Sequence, residues 1–246
     1  MEPKDLFSNN ASDYAQFRPD YPDELFEFVY QSVSDFDFAW DCATGNGQAA
    51  KVLARRFKKV WATDISEKQM SNAFQSANVF YSVASAEKSL MEESAINLIT
   101  VAQAAHWFKL DAFYAEVHRV AKTNGVLAIW GYGLLSINKK FDEELSRFYK
   151  KNIGHYWNVE RKFIDDSYKT LPFPFKEIST PEFRMTKQWT ISELSGYLST
   201  WSAVQKFIKA QGFNPVDEFM LKHKHLLPET DIAVTFPLFL RMGKVK

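Results

Sequence analysis

The 246 residues carry 30 Lys and Arg against 30 Asp and Glu, enough chain for one generous core. With no net charge and no block of like charge, the chain lacks the electrostatic footprint of a nucleic-acid or anionic-membrane partner. Cys42 is the single cysteine, which excludes an internal disulfide, and no stretch approaches the ~18 unbroken apolar residues of a membrane span or the apolar core of a secretion signal, so the expected location is cytoplasmic.

Leu25, Phe28, Val29 and Val33 recur at helical spacing behind the start signals Pro22 and Asp23, which predicts a short helix. "FAWDCA" then reads as a buried strand, and Ala50, Leu53, Ala54 and Phe57 mark a helix after the glycines of "TGNGQAA". "VWATD" is again strand-like and ends in an acid. Strand, helix, strand is the unit that makes a parallel pair through a right-handed crossover. The alternation continues through a helical "QMSNAFQSA", an extended "VFYSVAS" and a central strand "AINLITVAQA". It closes with a helix over "DAFYAEVHRVAK" and a strand "VLAIWGY". Such alternation predicts a doubly wound parallel sheet whose ligands bind at the carboxyl ends of its strands.

Beyond Gly133 the rhythm changes. Phe141, Leu145, Phe148 and Tyr149 allow a helix over 141–152, but "GHYWNVERKFIDDSYKTLPFPF" has no clean period and reads as an irregular flap over the active end of the sheet. "ISELSGYLSTWSAVQKFIKAQGF" and "NPVDEFMLKHKHLL" read as helical, the latter capped by Asn214 with Pro215 in its first turn. "DIAVTFPLFLRMGK" is strand-like, with Pro237 demanding an edge or a bulge. The whole is expected to be one domain over 1–246: an N-terminal cap to about residue 35, a core over 36–133, a substrate cap with C-terminal helices over 134–230 and a last strand over 231–246.

"GNGQAA" matches GxGxxA, which by itself suits a nicotinamide cofactor or any other ligand that needs close backbone approach at a strand-to-helix junction. The flanking acids discriminate. Asp41 precedes the loop, where a carboxylate could orient loop amides or take up an ammonium group but would repel a pyrophosphate. Asp64 lies 19 residues past Gly45, the reach at which an acid accepts hydrogen bonds from a ribose. Together they favour an amino acid attached to a nucleoside.

"DCATGNGQAA", "VWATDIS", "VASAE", "INLITVAQAAHWFKLDAFYAEVHRVAKTNGVLAIWGYG" and "YAQFRPDYP" resemble the class I S-adenosylmethionine-dependent methyltransferases, and within them the type-11, trans-aconitate-methyltransferase-like branch acting on small molecules. The resemblance implies an α/β fold: a doubly wound, Rossmann-like seven-stranded sheet, last strand antiparallel, with an irregular helical cap. It implies that Gly45, Asn46 and Gly47 line the methionyl part of the S-adenosyl-L-methionine cofactor with Asp41 beneath, that Asp64 binds the ribose, and that Ile65 packs on the adenine. Ala86 and Glu87 would flank the adenine edge, Gln103 and Ala104 would border the sulfonium, Arg18 would reach the cofactor carboxylate, and Tyr14 would close over the site. Ala43 stands where the family has a loop glycine, and Thr123-Asn124-Gly125 replaces Pro-Gly-Gly. A required positive φ would strain Ala43, whereas Asn124 tolerates it.

On the acceptor side, His106 is a candidate base after the central strand. Trp107, Tyr156, Trp157 and Arg161 are candidates for an aromatic substrate wall with a cationic anchor. "HKH" over 223–225 has no acid or thiol to complete a metal site, so no metal is expected. The function these residues suggest is methyl transfer to a carboxylate or hydroxyl oxygen of a small molecule, with no nucleic-acid or membrane partner. The alternatives are an NAD(P)-dependent oxidoreductase, for which no catalytic set stands out, and a catalytically silent nucleoside-binding module of the same fold.

Overall fold

The computed structural model describes residues 17–246. Strands β1 (Phe38–Cys42), β2 (Lys59–Asp64), β3 (Val79–Val83), β4 (Ile96–Ala102) and β5 (Ala121–Tyr132) lie parallel in the order β3-β2-β1-β4-β5. Order reverses between β1 and β4, and that switch point leaves a crevice at their carboxyl ends. Alternate residues of β5 serve opposite cores: Val126, Ala128, Trp130 and Tyr132 face one, Leu127 and Ile129 the other. Both faces of the strand are thus buried, which is why its sequence reads as a continuous apolar run.

One core is sealed by helix α1 (Asp23–Tyr30) through Leu25 and Val29, and by α2 (Gln48–Leu53) through Ala50 and Leu53. The other is sealed by α4 (Leu110–Val120) through Phe113, Val117 and Val120. Between β2 and β3 the expected helix shrinks to α3 (Glu67–Met70). Ser71 and Asn72 turn their side chains back to the Lys68 carbonyl, and side chains that bond the local backbone in this way compete with continued helix.

Among the described residues the sheet has eight strands, one more than expected. β6 (Lys176–Ile178) and β7 (Phe183–Trp189) both pair antiparallel with the same edge of β8 (Ile232–Lys244), while the other edge of β8 pairs antiparallel with β5. Strands β6 and β7 are separated at residues 179–182, where Pro181 has no N–H for the ladder and the Thr180 hydroxyl donates to the Leu240 carbonyl at 2.9 Å instead. Pro237 sits inside β8, between neighbours, rather than at an edge. It is tolerated because β5 ends at Tyr132, opposite Leu238, and the only bond asked of Pro237 on that side is its carbonyl accepting from Gly133 at 2.9 Å.

The cap begins with α5 (Lys139–Arg147), capped by the Asn138 side chain, and runs on through a π-helical turn over Phe148–Asn152 to α6 (Arg161–Asp165). The long helical stretch after β7 is two helices, α7 (Ile191–Ser199) and α8 (Ser202–Gln211), broken at Thr200 and Trp201. Helix α9 (Pro215–His223) starts as its sequence demands, with Asn214 accepting from the Val216 amide and Pro215 at the first position. None of the helices described is long and apolar enough to cross a membrane.

Candidate active site

The chain leaves β1 through a loop whose backbone enters the left-handed region three times: Ala43 at φ 56°, Gly45 at 58° and Gly47 at 81°. The strain foreseen at Ala43 is therefore present, and Asn124, at φ 61°, takes the turn that its short polar side chain permits. Gly47 has a second reason to lack a side chain, since a Cβ there would stand 2.5 Å from the Tyr81 hydroxyl. Over Gly45 the reverse holds: nothing lies within 4 Å of where a Cβ would be. The backbone there faces open space that a ligand can fill.

Asp41 lies under this loop and is fully buried. Its Oδ2 accepts from the Thr44 hydroxyl at 2.6 Å and the Ala50 amide at 3.1 Å, and its Oδ1 accepts from the Thr100 hydroxyl at 2.9 Å. Thr100 is its register partner on β4, so sheet pairing itself delivers the third donor. Burial nevertheless outweighs these bonds and raises the carboxyl from 3.8 to about 6. Asp64 ends the neighbouring strand β2, where its Oδ2 accepts from the Gly45 amide at 2.8 Å and its Oδ1 from Ser66 at 2.9 Å. Asp41 thus ties the start of the loop to the helix that follows it, and Asp64 holds the loop between those points at Gly45.

Around this loop stand the other predicted cofactor contacts. Ile65 is 40% exposed, a large apolar side chain left uncovered beside Asp64. Ala86 is buried, and Glu87 is tied in by accepting the Lys109 amide at 2.9 Å. Gln103 leaves β4 at φ 57°, its amide donating to Trp130 and its side chain to the Tyr132 carbonyl, with Ala104 following it. Arg18 donates from Nη1 to the Tyr132 hydroxyl at 2.7 Å and lies over the Tyr197 ring. Tyr14 lies outside the described residues. An open backbone cradle, an acid at strand end and an exposed apolar neighbour fit a nucleoside that carries an amino acid. Among the described residues no group of His, Cys, Asp or Glu is placed to hold a metal.

A cleft open to solvent lies beside Gln103. Its walls are Trp107, Trp157 and Trp201, and its polar groups are Arg18, Arg161, His106, Gln103, Asn158 and Ser202. Arg161 is held by its Nε donating to the Tyr149 hydroxyl at 2.6 Å, and its guanidinium lies 4.7 Å from the centre of the Trp157 ring. No carboxylate lines the cleft among the described residues.

Two expectations about this cleft are corrected. Tyr156 is not part of its wall: the ring packs on Phe207 and its hydroxyl accepts from Gln211 of α8, so the side chain is spent on holding the cap together. Trp201 supplies the wall instead, from the break between α7 and α8 that helical periodicity conceals. His106 is poorly suited to be a base. It is buried, with Nδ1 2.8 Å from the Tyr168 hydroxyl, and burial with the nearby Arg161 charge pushes its pKa down to about 3. A base that weak gains little from proton abstraction near neutral pH. Tyr168 itself was hidden in the flap, where no period marks it.

A mostly parallel sheet with an antiparallel strand beside β5, a glycine loop after its first strand and an acid after its second is the fold of a Rossmann-like methyltransferase. Residues 40–129 match the model of a family described as "Methyltransferase domain". A Dictyostelium discoideum protein named as a methyltransferase is 36% identical over 249 residues, covering 98% of this chain and 95% of that one. A Schizosaccharomyces pombe methyltransferase is 26% identical, covering 94% and 88%. The solved structure of a methyltransferase from Anaeromyxobacter dehalogenans superposes with a TM-score of 0.86 at 35% identity, covering 93% of this chain and 98% of that one. The chain belongs to the class I methyltransferase family.

Proposed function

We propose that this protein transfers a methyl group from S-adenosyl-L-methionine to a carboxylate oxygen of a small, partly apolar acid. The observation that carries the proposal is the cleft at the end of β4, where the guanidiniums of Arg18 and Arg161 line a wall of indole rings, Arg161 steadied from outside the cleft by Asp165 at 3.6 Å. Such a site attracts an anion and rejects a cation. The proposal keeps the likeness to the trans-aconitate-methyltransferase-like branch as support, and the small-molecule acceptor, the cytoplasmic location and the absence of nucleic-acid partners belong to it as well.

In this proposal the open backbone of Gly45 to Gly47 lines the amino-acid end of the donor, Asp64 accepts from its ribose, and Ile65 packs on its base. Bound there, the donor supplies an already activated methyl group. The protein's part is to align an oxygen lone pair with that group and to exclude water. Alignment of this kind is worth roughly 7–11 kcal/mol of barrier when geometry is right. A carboxylate is deprotonated at neutral pH, so no side chain has to take a proton from it.

The test is a panel of small carboxylic acids, alcohols and amines with methyl-labelled donor, paired with calorimetry of donor and demethylated product. Label entering base-labile methyl esters is expected. Donor binding with label entering only amines would overturn the acceptor class, and tight NADH binding with no heat from either sulfur nucleoside would favour the oxidoreductase alternative.

A further inference from the structure

Tyr168 is an unusual residue to find where it is. Its backbone sits at φ 60°, directly after Ser167 at 58°, a conformation that a bulky side chain enters only when its surroundings impose it. Those surroundings are firm: its amide donates to Phe163 at 2.6 Å, its carbonyl accepts from Arg241 at 2.9 Å, and its ring packs edge-on against Phe239 at 5.0 Å. The side chain is fully buried, and its hydroxyl lies 2.8 Å from His106 Nδ1. Strained backbone of this sort collects at functional sites, and here it delivers one hydroxyl to one ring nitrogen of a cleft residue.

The one other group against the hydroxyl among the described residues is the His106 backbone N–H, which can only donate, so the direction of the bond to Nδ1 follows from what each proton would lose. If Nδ1 carried the hydrogen, the Tyr168 hydroxyl hydrogen would be buried with nothing to accept it, a penalty that sets the tautomer ratio at about tenfold or more. If Tyr168 donates, both groups are satisfied and Nε2 carries the imidazole hydrogen. With Nδ1 committed, Nε2 is the ring nitrogen left for the cleft that His106 lines.

We propose that Tyr168 is a positioning residue that fixes His106 as its Nε2–H tautomer, so that His106 offers a hydrogen-bond donor to the acceptor's anionic oxygen instead of taking a proton from it. This rests on the cleft being the acceptor site. Arg161 and His106 then meet the same oxygen pair, the guanidinium with charge and the imidazole with direction. A neutral hydroxyl acceptor would instead need the opposite tautomer, with an unprotonated Nε2.

The experiment reads the proton directly and needs no acceptor. Protein labelled with 15N-histidine is examined near neutral pH by long-range 1H–15N correlation, with the His106 signals assigned by their loss in H106Q. The expected result is a neutral ring with the hydrogen on Nε2, and in Y168F a shift of several-fold toward the Nδ1–H form. An Nδ1–H ring or an imidazolium in the wild-type protein would overturn the proposal, as would an unchanged tautomer in Y168F. Kinetics with any acid that is turned over give the second readout: H106A is expected to lose activity mainly through KM, with H106Q recovering part of that loss. A fall in kcat of about 10²–10⁴-fold in both variants would mark a base and overturn the proposal. An Nε2–H ring in a protein that methylates no acid at all would sink the acceptor class while leaving the proton assignment standing.

Discussion

The Tyr81 hydroxyl donates to the Phe74 carbonyl at 2.6 Å and, in doing so, occupies the space 2.5 Å from any Cβ that residue 47 might carry. Gly47 is thus excluded from having a side chain twice over, by φ 81° and by this hydroxyl. G47A is expected to destabilise the protein by about 2–3 kcal/mol, the combined cost of a left-handed alanine and a clash. It should also abolish measurable donor binding by calorimetry. Y81F added to G47A removes the clash but not the strain, so the double variant should regain only about half of the lost stability in urea denaturation.

Asp41 yields a prediction whose sign is opposite to that of most paired or hydrogen-bonded carboxylates. Its folded pKa is raised, from 3.8 to about 6, so the native state holds the proton more tightly than the unfolded chain does. Its contribution is therefore favourable below about pH 4 and is lost as pH rises toward 6, by an amount on the order of 3 kcal/mol. Unfolding free energies of wild type and D41N across pH 4–7 should differ by a term that changes in this window and in this direction. A difference independent of pH would show that the carboxyl titrates normally.

The same group sets a pH dependence for the donor. In the proposed donor site, S-adenosylmethionine would bring a sulfonium charge near a loop with Asp41 beneath it, whereas S-adenosylhomocysteine would not. Calorimetry between pH 5 and 8 is expected to show affinity for the charged donor falling as pH drops through about 6, with a smaller fall for the neutral product. Equal falls for both would mean that Asp41 acts through loop geometry alone.

Ala43 can be improved. An L-residue at φ 56° costs about 1–2 kcal/mol, of which a glycine would return all but the ~0.4–1 kcal/mol it loses to greater freedom in the unfolded chain. A43G is expected to raise the melting temperature by about 1–4 °C. A drop on thermal denaturation would mean that the methyl group packs usefully and that the strain is smaller than its dihedral suggests.

In the proposed acceptor site, Arg161 is the anchor most directly tied to acceptor choice. R161M, which keeps the stacking length but removes the charge, should raise KM for a carboxylate acceptor by about 10–100-fold, as expected for a lost hydrogen bond to a charged group. R161K should fall between, because an ammonium keeps the charge without the planar fork. Steady-state kinetics on the acid found in the panel would check both, and an unchanged KM would move the anion to Arg18.

The parts of this molecule that were legible in the sequence are those where one local rule acts alone. Buried parallel strands declare themselves as apolar runs, and the loop declares itself through Gly45 and Gly47, so Asp41 and Asp64 could be set beside it from the sequence. The acceptor side was harder, because tertiary packing decides it. Trp201 enters the cleft only because a helical stretch breaks at Thr200, and Tyr156, which looked equally available, is claimed by Phe207 and Gln211. Tyr168 carries no periodic mark, and its left-handed backbone is imposed by neighbours from β8 and α6. Strands β6 and β7 were not legible, because each is short of partners until β8 arrives from far along the chain, and Pro181 divides them.

The sharing of β8 has a consequence for how the chain is made. Residues 126–132, 176–178 and 183–189 all find their ladder partners within 232–244. On the ribosome, β5 therefore emerges long before anything can cover its open edge, and the nascent sheet must wait with a row of unpaired amides exposed. Contacts this distant along the chain slow closure, and an uncovered edge invites pairing with other molecules. Maturation of this protein should accordingly depend on chaperone shielding until synthesis has passed residue 244.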